Sequence, residues 1–185
     1  MSTLKSLNAA LFLAVFLFWA CPAEARYDLG ISYEFGKQVI HTESDTALSL
    51  INIKLFIPWD FLPKNPIVKS TEVTPQLALG YISKADSKIV GLELPFRFNF
   101  RRFSNFEPFA DLGAGINYVE DKLEEIGGNF QFSLIGRLGV KWYSATFPWK
   151  ATELSFGMQH YSNGKIVDKS NAGLNYLTLR IGFIY

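Results

Sequence analysis

The sequence predicts an all-β protein: an eight-stranded, antiparallel, up-and-down transmembrane β-barrel that follows a cleaved signal peptide. Three observations point there. Apolar residues recur at every second position through most of the chain, and no segment after residue 25 keeps a 3.6-residue period. The alternating runs are about 10 to 13 residues long, near the ~9–11 of a tilted membrane strand and above the ~5–6 usual in soluble proteins. Charges recur on the non-apolar rows, where a barrel pairs them inside.

Residues 1–25 read as an export signal. Lys5 supplies a positive start, Ala9 to Ala20 is an unbroken apolar run, and Ala23-Glu24-Ala25 has the small-x-small form of a cleavage site. The run is short for a membrane helix, which needs roughly 20 apolar residues. The mature chain is therefore expected to start at Arg26, with 26–185 forming the barrel. Cys21 raises the alternative of a lipoprotein, but Phe18-Trp19-Ala20 fits that cleavage box poorly. Losing residues 1–25 removes the chain's single cysteine, so no disulfide is expected in the exported protein.

The strands follow in order. Tyr27, Leu29, Ile31, Tyr33 and Phe35 alternate with small or polar residues and predict a strand over 27–36. The next, 46–57, is the least clear, because both of its faces carry apolar residues. Strands are then expected at 72–82 and at 89–100, where Leu92, Leu94, Phe96, Phe98 and Phe100 alternate with Glu93, Pro95, Arg97 and Asn99. Further runs fall at 108–118, 129–142, 152–162 and 173–185, the last closing on Tyr185. Polar connections at 37–45, 83–88, 120–128 and 164–172 separate them. A soluble sandwich would bury the large residues between two sheets. It would also need shorter strands, and it gives no reason for charges on nearly every inner row.

Composition narrows the function. A formal net charge of +1 without a basic tract argues against nucleic acid. No CxxC, HExxH or His/Cys cluster suggests a metal, and no cofactor is expected. Of the two histidines, His41 sits in a polar stretch and reads as a solvated loop residue. The other, His160, continues the apolar row Leu154, Phe156, Met158, and Ser162 comes next on that row. With both termini periplasmic, the connection 163–172 lies outside the cell. His160 and Ser162 then stand at the outer rim, facing lipid.

Two readings of that pair are open. His160 and Tyr161 can be interfacial residues ahead of a Ser162-Asn163-Gly164 turn. Alternatively, residues i and i+2 of one strand face the same way, and a hydroxyl beside a histidine base is the minimal activated nucleophile for ester cleavage. Such a pair needs a third group to orient the histidine. Parity puts Asn175 on the same outer face, and a hairpin register pairing Met158 with Leu177 sets Asn175 opposite His160. Glu153 is seven residues from His160, roughly 23 Å away at ~3.3 Å per residue.

"HYSNG" at His160 to Gly164, followed by "NAGLN" at Asn171 to Asn175 and a final alternating strand, resembles the lipid A 3-O-deacylase (PagL) family. "PFADLGAG" at Pro108 to Gly115 extends the likeness in outline over residues 26–185. The resemblance implies a serine esterase of the bacterial outer membrane that removes the ester-linked 3-hydroxyacyl chain at position 3 of lipid A. By the same implication His160 is the general base and Ser162 the nucleophile, Asn163 and Asn171 support the site and the oxyanion, and no metal is needed. The family's usual residue at the place of Asn175 is a glutamate. Asp168, in the outer loop, is a candidate substitute for that charge. The implied partner is lipid A or lipopolysaccharide within the membrane, with a homodimer left open. The alternatives are a catalytically weak or inactive barrel with a structural or lipopolysaccharide-binding role, and a small porin-like or adhesion barrel.

Overall fold

A computed structural model describes residues 27–39, 46–59, 66–83, 86–121, 127–163 and 173–185. Residues 1–26, and with them the expected export signal, lie outside this set. Nine strands form one antiparallel ring: β1 (Asp28–Gln38), β2 (Ala47–Pro58), β3 (Val68–Val73), β4 (Gln76–Ile82), β5 (Ser87–Phe100), β6 (Phe106–Val119), β7 (Phe130–Tyr143), β8 (Ala151–Ser162) and β9 (Leu174–Ile184). Each pairs with its sequence neighbours except β3 and β4, which do not pair with each other, and β9 closes on β1 from Gly30–Ile184 to Gln38–Tyr176. β3 and β4 together fill one position between β2 and β5, so the wall is eight strands around.

The expected third strand, 72–82, is therefore longer and broken. Pro75 has no N–H for a ladder, and this interrupts the pairing. The break is bridged on both sides: Leu55 N–H donates to Pro75 O at 3.0 Å, and Thr74 N–H donates to Pro95 O at 2.8 Å.

The registers fix the tilt. Register partners followed from Phe132 through Ile116, Leu92, Leu77, Ile53, Ile31, Phe183 and Thr152 return to β7 at Trp142. The row has slipped ten residues, from 132 to 142, toward the end that holds both chain termini. With strands ~4.8 Å apart and ~3.3 Å rise per residue, that stagger tilts the strands by roughly 40°. In the direction β7, β8, β9, β1 a row climbs away from the termini.

The large apolar residues point outward. Leu134 and Leu138 keep 60% and 69% of their surface exposed, as lipid-facing residues of a barrel do. The interior is filled rather than hollow, and it is layered. At the end away from the termini Leu48, Leu50, Ala78, Ile82, Ile89, Val119, Tyr161, Leu174 and Tyr176 form an apolar cap. This cap explains why β2 is apolar on both faces: its outer row meets lipid and Leu48 and Leu50 enter the cap. Below it, Arg137 is bound to Glu34 at 2.7 and 2.8 Å and to Gln159 Oε1 at 2.8 Å. Lower still, the Arg97 guanidinium clasps Asp111 with two bonds of 2.6 and 2.8 Å and reaches Glu153 at 2.8 Å. Lys54 also pairs with Glu153, and Arg180 with Asp111. Around the outside of the termini end, Trp142, Phe147, Trp149 and Phe183 stack in sequence with centroids 4.8 to 5.7 Å apart, an aromatic girdle of the kind found at membrane interfaces.

Candidate active site

β8 alternates faces to its last residue. Glu153, Ser155, Gln159 and Tyr161 are buried inside, while Leu154, Phe156 and Met158 face out. His160 and Ser162 belong to the outward row, half-buried at the end away from the termini. Their α-carbons are about 6.6 Å apart, two residues along one face. The inward neighbours hold this strand end in place. Tyr161 and Tyr176 meet edge-on at 6.0 Å within the apolar cap, and Gln159 Nε2 donates to the Tyr161 hydroxyl at 2.7 Å.

The predicted register is the observed one. Met158 pairs with Leu177 and His160 with Asn175. The imidazole Nδ1 lies 2.9 Å from Asn175 Oδ1. A carbonyl oxygen only accepts, so Nδ1 carries the hydrogen, and in a neutral ring that arrangement leaves the lone pair on Nε2. That is the tautomer a base needs when its acceptor site is to take a proton from a hydroxyl. On the other flank β7 sets Leu134 opposite His160 and Phe132 opposite Ser162. One side of the pair is thus an amide and the other a greasy wall.

Gly173 completes the setting, and nothing in the alternation pattern singled it out. Its backbone φ is +75°, a conformation L side chains rarely adopt. A Cβ there would lie 2.6 Å from His160 Cε1 and 3.4 Å from Nε2. The ring therefore rests against a bare α-carbon. The available signal was a glycine two residues before Asn175, at the mouth of a strand.

The other expected residues are distributed unevenly. Asn163 follows Ser162 and is fully buried. Asn171, Asp168 and His41 lie outside the described residues. Glu153 is in the interior, committed to Lys54 and Arg97, and is on the opposite face of β8 from His160. Among the described residues no group of three or more His, Cys, Asp or Glu is placed to hold a metal.

This geometry can hold an imidazole, its ring fixed by an amide, beside a hydroxyl on a lipid-facing wall. A family model described as lipid A 3-O-deacylase (PagL) matches residues 23–183. The crystal structure of the outer membrane enzyme PagL is similar over 83% of this chain and 97% of its own, at 16% identity and a TM-score of 0.60. That of Neisserial surface protein A (NspA) is similar over 87% of this chain and 99% of its own, at 16% identity and a TM-score of 0.57. At such identity the two structures speak for the fold, an outer-membrane barrel. No curated protein matches the chain.

Proposed function

The chain belongs to the lipid A 3-O-deacylase (PagL) family, and on that premise we propose that it is an active serine esterase, cleaving the 3-hydroxyacyl ester at position 3 of lipid A in the outer leaflet. Ser162 Oγ attacks the ester carbonyl carbon as its proton passes to His160 Nε2. The tetrahedral oxyanion collapses, the bond from carbonyl carbon to sugar oxygen breaks, and that oxygen leaves with the proton from His160. Water then attacks the acyl-Ser162 carbonyl, giving its proton to His160, and the free 3-hydroxy fatty acid departs as Ser162 regains a hydrogen. Asn175 orients the ring. Asn163 and Asn171 are the proposed supports of the oxyanion.

The observation that carries this reading is the Nδ1–Asn175 hydrogen bond, which presents a basic Nε2 on the row of Ser162. An outward-facing site suits a substrate that stays in the bilayer and diffuses to it sideways. In this reading residues 1–25 are removed on export, and the termini end of the barrel is periplasmic. No observation favours a homodimer.

The neutral Asn175 at a place where the family usually carries charge favours one rival, a barrel that binds lipopolysaccharide without cleaving it. Mass spectrometry of lipid A decides between them. Cells that make the protein are expected to show loss of one 3-hydroxyacyl mass, and cells making Ser162→Ala or His160→Ala, at equal levels of folded barrel, are not. Unchanged lipid A with the native protein would sink the esterase reading.

A further inference from the structure

Polar side chains are scarce on the outward rows of β1, β8 and β9. Apart from tyrosines they are Lys37, Thr152, His160, Ser162 and Asn175. Thr152 is at the termini end, bonded to Trp149 Nε1. The other four gather at the opposite end, on three adjacent strands. Three of them are the proposed site; the fourth, Lys37, has no part in it.

Lys37 is exposed, and its register partners are Leu177 of β9 and Ala47 of β2. Phe35 precedes it on the same outward row. Lys88, a second outward cation at this end, has Glu120 at 3.3 Å. Among the described residues Lys37 has no carboxylate partner. The barrel's stagger decides where it stands. Lys37 shares a register row with Leu177 and Met158, and that row climbs about 3 Å at each strand. Two strands of climb offset the two residues by which Met158 lies below His160. Lys37 is therefore level with His160 to within about 2 Å and about 12 Å away around the wall.

A cation on a lipid-facing row, level with the proposed ester-cleaving pair, is placed to meet the anionic group of a lipid whose ester is at Ser162. We infer that Lys37 binds a phosphate on the sugar headgroup of the glycolipid while its acyl ester is held at Ser162 and His160. A lysine suits this role, as a compact charge on a flexible four-carbon stem that runs along apolar surface to an anion at the headgroup level. A sugar ring and that stem together span the gap. The inference rests on the esterase reading for the identity of the second contact.

The test compares phosphorylated lipid A with the same lipid dephosphorylated, both in uncharged detergent micelles. The native protein is expected to prefer the phosphorylated substrate in kcat/KM. Lys37→Gln should cut that preference roughly five- to tenfold, the loss of one charge-assisted hydrogen bond, and chiefly through KM. Lys37→Arg should keep most of it. An intact preference in Lys37→Gln, or an equal loss on both substrates, overturns the inference. With phosphatidylglycerol added to the micelles the preference is expected to persist; its disappearance would assign Lys37 to anionic headgroups at large. If the native protein cleaves neither lipid, the esterase reading fails by itself. The same comparison is then made by equilibrium binding to the Ser162→Ala barrel, where Lys37→Gln must again lower the preference for phosphate.

Discussion

On the esterase reading, Asn175 sets how well His160 can act as a base. An amide can do half of what a carboxylate does: it accepts from Nδ1–H and fixes the ring, but it adds no charge to favour the imidazolium. In serine proteases the Asp-to-Asn change costs about 10⁴ in kcat because it selects the wrong tautomer. Here Oδ1 faces Nδ1 at 2.9 Å, so the tautomer is preserved and the electrostatic part alone is missing. Asn175→Glu is accordingly expected to raise kcat about tenfold or more, each ~1.4 kcal/mol of transition-state stabilisation being a factor of ten. Asn175→Leu frees the ring and should lower kcat by about the same factor or more. Assays on purified lipid A with matched amounts of folded barrel check both; no gain with Glu and no loss with Leu would remove Asn175 from the site. The residue pair was legible in the sequence because parity and one register number suffice to place it. Gly173 was not, since its closeness to the imidazole depends on a backbone angle and a ring orientation that alternation does not encode.

Among the elements, β9 has to satisfy both neighbours at once, closing the ring on β1 while it carries Asn175 opposite β8. Its outward row, Leu177, Leu179, Ile181 and Phe183, runs from the site to the aromatic girdle. Depth along this row should scale the cost of charge. Leu179→Arg, near the middle of the strand and 54% exposed to lipid, is expected to destabilise by about 2–4 kcal/mol. Phe183→Arg, at the girdle, should lose about 1 kcal/mol or less from the charge, and a further ~1 kcal/mol from the ring contact with Trp149 at 4.8 Å. Urea unfolding midpoints in lipid vesicles measure the difference, and a larger cost at Phe183 than at Leu179 would contradict the lipid-facing assignment. Strand identity was readable because period 2 survives in most elements; β2, apolar on both faces, was the least clear. The break in the third strand was not readable, for a proline in an alternating run fits an edge, a bulge or a split equally well until its neighbours are known.

At the scale of the whole molecule, the sequence carried the inside-outside partition but not the stagger. Which rows are inward follows from the charges: Glu34, Lys54, Glu93, Arg97, Asp111, Arg137, Glu153 and Arg180 are all buried. Who pairs with whom does not, because Arg97 meets a residue 14 positions on and another 56 positions on. The ten-residue slip that brings Lys37 level with His160 is a property of closure, visible once every register is joined into a ring. On the esterase reading, the outward placement of His160 and Ser162 has a kinetic consequence of its own. An enzyme whose catalytic groups lie on its convex wall meets its substrate in two dimensions, so the concentration that governs its rate is a mole fraction in the surrounding film, not a molarity. Diluting lipid A with neutral detergent at fixed bulk amounts of lipid A and protein should therefore slow turnover in proportion to the dilution of the film once the substrate is sub-saturating. A rate that ignored the detergent would place the reacting ester in solvent instead.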